Sequence, residues 1–211
     1  MTTVLETLVE KYPDLSVCVP DVQAAFVAVV QTYRQGGKVL VCGNGGSAAD
    51  SEHLVGELMK GYLSPRQVPS SVRQKLIEAF PNDGLYLAEH LQGALPAISL
   101  VSQTALLTAF ANDVAADMAF AQQVYGYGVA GDTVIGISTS GNSKNVVYAL
   151  QVGRALGLRT IGFTGQDGGV LKTVCEVTMR VPWQKTADIQ ERQLGIYHAL
   201  CAMLEETFFP L

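Results

Sequence analysis

A short apolar run, a glycine-rich turn and a helix constrain the fold of this chain most. Residues 39–42 are apolar and predict a buried strand, and Gly43-Asn44-Gly45-Gly46-Ser47 follows directly. Glycines let a backbone turn sharply and approach a ligand closely. Ser47 then opens a predicted helix, whose free amides and positive dipole end favour an anion. This junction therefore predicts an anion site at the end of a strand.

Two titratable side chains follow on the same predicted helix. His53 and Glu57 are four residues apart, so they share one helical face. We expect them about one helical turn, ~5–6 Å, beyond the glycine turn. An anion cradle beside an imidazole and a carboxylate indicates a site for a small phosphorylated molecule.

Alternating strand and helix patterns predict the remaining architecture. Four more strands are expected, at residues 97–101, 133–137, 160–163 and 176–181. Short connections between such elements predict an α/β fold in which helices cover both faces of a parallel sheet. Two helices precede the first strand, with Asp21 as the predicted N-cap of the second. A polar helical stretch at about 63–94 interrupts the pattern, so we expect one domain, 1–211, with an inserted lid or interface element.

The composition of the chain argues against several classes of binding partner. The net charge of −5 argues against nucleic acid and anionic membrane surfaces. No run approaches the ~18–20 unbroken apolar residues of a membrane span, and the N-terminus lacks a signal-peptide pattern. Four scattered cysteines without C-x-x-C pairs fit reduced thiols, so we expect a cytoplasmic protein. With 48% apolar and only 16% charged residues, we also expect a homo-oligomer.

The loop after predicted strand 133–137 carries most of the remaining chemistry. It reads Ser138-Thr139-Ser140-Gly141-Asn142-Ser143, with four hydroxyls around a glycine at a helix N-terminus. A phosphate monoester needs several converging donors, whereas an ordinary N-cap needs only one Ser or Thr. We therefore favour phosphate binding. A hydrolase nucleophile at Ser138 is disfavoured, because the second elbow glycine is replaced by Ser140.

A dinucleotide site is the alternative interpretation of the first glycine turn. Gly43, Gly45 and Ala48 satisfy a loose G-x-G-x-x-A fingerprint. The acidic residue expected near the end of the next strand is absent, since that strand is followed by Ser102. We therefore expect no nucleotide.

Two further polar pairs fall at the predicted edge of the sheet where the carboxyl ends of the strands meet. Asn112 and Asp113 either cap the following helix or contact sugar hydroxyls. Gln190 and Gln193 share a face near the start of the last helix, where amides can hold hydroxyls or complete a metal site.

These motifs together resemble the sugar isomerase (SIS) domain family, in its phosphoheptose isomerase branch. The resemblance covers nearly the whole chain outside the insertion. It implies a three-layer, five-stranded flavodoxin-like fold, a homotetramer, and interconversion of sedoheptulose 7-phosphate and a manno-heptose 7-phosphate. It also implies that the substrate is bound by Asn44, Gly45, Gly46, Ser47, Asn112, Asp113, Ser138, Thr139, Ser140, Ser143, Gln190 and Gln193.

The resemblance also implies chemistry and a metal. Glu57 is the expected carboxylate base, with His53 beside it. Some members bind zinc through residues matching His53, Glu57 and Gln190, together with a histidine from the last helix.

That histidine is where this sequence departs from the family pattern I-Q-E-x-H, because the fifth position is Gln193. Glutamine cannot titrate, and an acid–base group is worth about 10²–10⁴-fold in rate. We expect His198 to pack in the core or an interface, and His90 to replace the missing group only if the insertion folds over a site. The alternative function is therefore a non-catalytic phosphosugar-binding or adaptor protein.

Overall fold

The computed structural model describes residues 3–210 and contains one five-stranded, all-parallel sheet. The strands lie in the order β2-β1-β3-β4-β5, the flavodoxin-like winding. They are β1 (Val39–Gly43), β2 (Ala97–Ser99), β3 (Thr133–Ile137), β4 (Arg159–Thr164) and β5 (Val177–Arg180). The predicted α/β/α fold is confirmed.

Helices cover both faces of this sheet. They are α1 (Thr3–Lys11), α2 (Val19–Arg34), α3 (Gly46–Met59), α4 (Ser70–Ala79), α5 (Gly84–His90), α6 (Thr104–Phe110), α7 (Ala119–Tyr127), α8 (Lys144–Ala155), α9 (Leu171–Val174) and α10 (Thr186–Phe208). Side chains of α1, α2, α3 and α10 form one core on one face, and those of α7, α8 and α9 form a second core on the other. Side chains alternate along β1, since Val39 and Val41 enter the first core while Leu40 and Cys42 enter the second.

One local expectation was wrong in detail, and one helix calls for comment. A 3₁₀ turn, Pro13–Cys18, precedes α2, so Asp21 lies in the first turn of α2 rather than at its N-cap. The stretch Pro13–Arg34 is also long and apolar enough to cross a membrane by length and composition, with a hydropathy of 1.5. Its Val22 and Val29 side chains are buried in the first core, and a core helix passes the same test.

The predicted insertion is a helical hairpin on a firmly anchored base. Helix α4 has no buried residue, and it packs chiefly against α5. At the base, Gln67 pairs with Gln92 in an antiparallel bridge. The guanidinium of Arg66 is fully buried and donates to the Glu205 carboxylate at 2.7 Å. The base is therefore part of the core, whereas the hairpin projects from it.

Candidate functional site

The glycine turn lies where β1 meets α3. Gly45 has a φ of +55°, a conformation that L side chains rarely adopt. A Cβ at Gly43 would collide with the Ser47 carbonyl, and one at Gly46 would collide with the side-chain amide of Gln190. The last helix therefore brings Gln190 against the turn.

The hydroxyl loop lies beside this turn, because β1 and β3 are neighbours and Gly43 is paired with Ile137. Ser138 is buried, and its hydroxyl lies 2.9 Å from that of Ser143. Ser143 is the N-cap of α8, but its side chain makes no capping bond. Ser143 therefore holds the N-cap position without a side-chain bond, its own amide donates to the Ser138 hydroxyl at 3.4 Å, and phosphate binding at this loop stays a prediction.

His53 and Glu57 are in contact on α3, with His53 Nε2 3.3 Å from Glu57 Oε1. Because α3 begins at Gly46, His53 is about 10 Å and Glu57 about 16 Å along the helix axis. Both lie farther from the turn than the single helical turn expected from the sequence. Side chains lean toward a helix N-terminus, which directs Glu57 back toward the turn.

His198 on α10 completes this cluster. Its Nε2 lies 3.4 Å from His53 Nε2, and the two rings meet edge to face. Of the two expected places for His198, the core is wrong, since its side chain is half-exposed, while the interface stays a prediction. The last helix thus supplies its histidine from position 198 rather than from position 193.

Other predicted site residues lie in different surroundings. Gln193 is fully buried, and neither polar atom of its side chain has a partner.

Asn112 and Asp113 are exposed in a π-helical turn, Ala111–Ala115, where the Asn112 amide donates to Asp113 at 2.7 Å. Neither caps α7, because the N-cap of α7 is Met118 without a side-chain bond. The capping alternative for this pair is therefore wrong. His90 stacks on Tyr86 within the insertion hairpin.

Comparison with known proteins identifies the family. A family model described as SIS domain matches residues 77–165. A phosphoheptose isomerase from Geobacter sp. (strain M21) is 40% identical over 190 residues, covering 90% of this chain and 85% of the relative. The chain belongs to the phosphoheptose isomerase family.

Solved structures of phosphoheptose isomerases share the fold of this family member. GmhA from Neisseria gonorrhoeae superimposes with a TM-score of 0.74 at 31% identity, over 96% of this chain and 94% of that one. The protein from Francisella tularensis gives 0.76 at 29% identity, over 98% and 100% of the two chains.

Two residues of this phosphoheptose isomerase family member that lie behind the histidine cluster, Tyr197 and Asp50, were not predicted from the sequence. The Tyr197 hydroxyl lies 2.9 Å from His53 Nδ1 and 3.3 Å from Asp50 Oδ1. When Tyr197 donates to Asp50, its hydroxyl oxygen accepts from His53 Nδ1, which fixes the orientation of the imidazole ring. Asp50 stands three residues before His53 on the same helix face, a signal that helical spacing offered.

Burial and neighbouring charge set the protonation of this cluster. Burial lowers the pKa of His198, and the charge of His53 lowers it further, while Glu57 opposes both effects. Burial raises the pKa of Asp50, against the opposing effects of the Tyr197 hydrogen bond and His53. At neutral pH, His198 is therefore an uncharged imidazole that can accept or donate a proton.

The donor set of this cluster fits zinc in type. Nitrogen and oxygen ligands of tetrahedral zinc lie about 3.3 Å apart, given metal–ligand bonds of about 2.0–2.2 Å. The contacts of His53 with Glu57 and His198, at 3.3 and 3.4 Å, match two such edges. As placed, no three His, Cys, Asp or Glu side chains within residues 3–210 form a closed metal-binding group. Gln190, the remaining expected ligand, lies against Gly46 at the start of α3.

An apolar cavity of about 440 Å³ adjoins the cluster on its other side. It lies between α1 and α10 and includes Leu8, Tyr12, Tyr62 and His198 in its lining. The cavity reaches His198 but none of the residues of the glycine turn. It is therefore distinct from the crevice between the glycine turn and the hydroxyl loop.

Proposed function

We propose that this protein is an aldose–ketose isomerase that converts sedoheptulose 7-phosphate to D-glycero-D-manno-heptose 7-phosphate. The observation that carries the proposal is the contact of His198 with His53 beside Glu57, which gives one site two groups able to move protons. Membership of the phosphoheptose isomerase family supports the choice of substrate.

The phosphate binds at the crevice between the two strand-end turns. Ser138, Thr139, Ser140 and Ser143 surround the start of α8, whose free amides and dipole favour an anion. Asn44, Gly45 and Gly46 border the same crevice. Glu57 stands about 16 Å along α3 from Gly46 before its side chain leans back, a separation that suits a long phosphosugar.

Isomerisation then needs two proton transfers. The Glu57 carboxylate removes a proton from C1 of the ketose, which gives an enediol, and returns that proton to C2. His198 donates a proton to O2 as the carbonyl is consumed and accepts the proton of O1 as the aldehyde forms. Every proton is returned, so the reaction consumes no oxidant or reductant. A neutral His198, whose pKa is lowered by burial, suits this shuttle.

Zinc held by His53, Glu57, Gln190 and His198 belongs to the same proposal. When bound, zinc would polarise the substrate carbonyl as a Lewis acid.

A cytoplasmic homotetramer is also part of the proposal. Exposed apolar side chains on the insertion hairpin, such as Phe80 and Tyr86, support self-association. Light scattering of the purified protein tests the tetramer directly.

The test is direct assay of the purified protein with sedoheptulose 7-phosphate, with added zinc and after chelation. NMR should detect the aldose product, and E57Q and H198Q should each reduce turnover by about 10²-fold or more. Ligand-induced stabilisation without any product would instead favour the non-catalytic phosphosugar-binding alternative. That alternative depended on Gln193 replacing the histidine, and the position of His198 removes its support.

A further inference from the structure

A pair of asparagines joins the two turns that border the proposed phosphate crevice. The Asn44 amide donates to Asn145 Oδ1 at 2.9 Å, and the Asn145 amide donates to Asn44 Oδ1 at 2.8 Å. Asn44 directly follows β1, and Asn145 is the second residue of α8. The two residues of this reciprocal pair are 101 positions apart in sequence, and their bonds join the two turns.

The asparagine pair lies at the point where the winding of the sheet reverses. Helix α3 packs on the first core and α8 on the second, so the chain turns to opposite faces after the neighbouring strands β1 and β3. Ligands of such sheets bind in the crevice at this reversal. The two side chains therefore bridge the place where the walls of the crevice would otherwise separate.

Asn145 is fixed in place more firmly than Asn44. Its Oδ1 also accepts the backbone N–H of Val146 at 3.0 Å, and its side chain is half-buried. Asn44 is exposed, and the residue after it is Gly45, whose backbone is unusually free. Two partners on Asn145 thus orient an otherwise mobile side chain.

We propose that Asn145 is a positioning residue that holds Asn44 in the orientation needed to bind the sugar phosphate. This inference rests on the proposed function and deepens it. Asn44 keeps one amide hydrogen and one acceptor lone pair after forming the reciprocal bonds, whereas Asn145 Oδ1 already accepts from both Asn44 and Val146. The remaining Asn44 hydrogen is thereby presented at the crevice, and the bridge persists when ligand is bound.

The experiment compares N145A, N44A and the double variant by calorimetric titration with sedoheptulose 7-phosphate and with inorganic phosphate, alongside steady-state kinetics. We expect N145A to raise the Kd for both ligands and KM about 3- to 10-fold, because one to two hydrogen bonds are lost. The value of kcat should stay within about twofold, since Asn145 does not touch the reacting carbons. In the N44A background, the N145A change should have no further effect.

A matched control exists at the neighbouring pair of loops. Gln184 donates its side-chain amide to Gln166 at 3.2 Å, which is also an exposed amide contact between strand-end loops. Q184A should leave Kd and KM unchanged. Both N145A and Q184A should keep the wild-type circular dichroism spectrum and melting temperature within about 2 °C, since exposed side-chain bonds contribute little.

Each other outcome has a defined meaning. Unchanged or tighter binding by N145A, or additive effects of N145A and N44A, would overturn the positioning role. Wild-type protein that binds inorganic phosphate but forms no aldose would refute the proposed reaction, while the phosphate titrations of the variants still decide the role of Asn145. Wild-type protein that binds neither ligand would overturn both proposals.

Discussion

The unpaired side-chain amide of Gln193 allows a direct test of how a buried polar group affects the stability of this protein. Its side chain is fully buried, and both Nε2 and Oε1 lack partners. A buried polar group without a hydrogen bond costs about 1–3 kcal/mol, and a volume-conserving hydrophobic replacement costs less than about 1.5 kcal/mol. Q193M should therefore raise the free energy of unfolding by about 1–2 kcal/mol. For a chain of this size, that corresponds to a rise in melting temperature of about 2–8 °C.

Gln123 is a matched control for Q193M. It is also buried, but its Nε2 donates to the Leu100 carbonyl at 2.9 Å and the Ala119 carbonyl at 3.2 Å. The Oε1 of Gln123 lacks a partner, but its Nε2 is bonded, so Q123M should give a lower melting temperature than Q193M because the Leu100 carbonyl would lose its donor. Differential scanning calorimetry of both variants makes the comparison. A melting temperature for Q193M no higher than that for Q123M would refute the reasoning, and it would show that Gln193 has a partner in solution. Since Gln193 is buried, Q193M should also leave KM within about twofold.

Three other perturbations follow from contacts already described. Replacing residues 69–90 with a short Gly-Ser linker should leave the circular dichroism spectrum unchanged, because α4 has no buried residue, but should reduce the tetramer measured by light scattering; an unchanged oligomer would place the interface elsewhere. Burial alone raises the pKa of Glu205, but hydrogen bonds from loop amides and Arg66 outweigh it and lower the pKa below 4.5. Urea unfolding should therefore show full stability above pH 4.5 and a loss as the pH falls through that lower value, with a shallower dependence in E205Q. Changing Ser138 and Ser143 together to alanine should abolish stabilisation by sedoheptulose 7-phosphate in a thermal-shift assay while the circular dichroism spectrum is retained; undiminished stabilisation would place the phosphate elsewhere.

The sheet and the crevice could be predicted because their signals are local. The strand, the glycine turn and the start of α3 are adjacent in sequence, and the hydroxyl loop directly follows β3. Parallel pairing then brings the ends of such strands together without further information. The insertion was likewise visible as a polar interruption between α3 and β2.

The histidine of the cluster could not be assigned in this way. Gln193 and His198 are five residues apart, which separates them by about 140° around α10. Which of them meets His53 depends on how α10 crosses α3, and spacing along one helix does not reveal that. The asparagine bridge was missed for a similar reason, since Asn44 and Asn145 stand 101 residues apart and meet only through the sheet.

The buried guanidinium at the base of the insertion also has a consequence for catalysis. The final carbonyls of a helix ordinarily lack partners, so its last turn frays. Arg66 donates to the Glu57 carbonyl at 2.9 Å and to the Leu58 carbonyl at 2.7 Å. The proposed base, Glu57, therefore lies on the last turn of α3, and Arg66 of the insertion holds the end of that turn in place. Substitutions in the outer hairpin should leave the position of Glu57 unchanged, whereas substitutions at the base, around Arg66, should shift Glu57 relative to the reacting carbons.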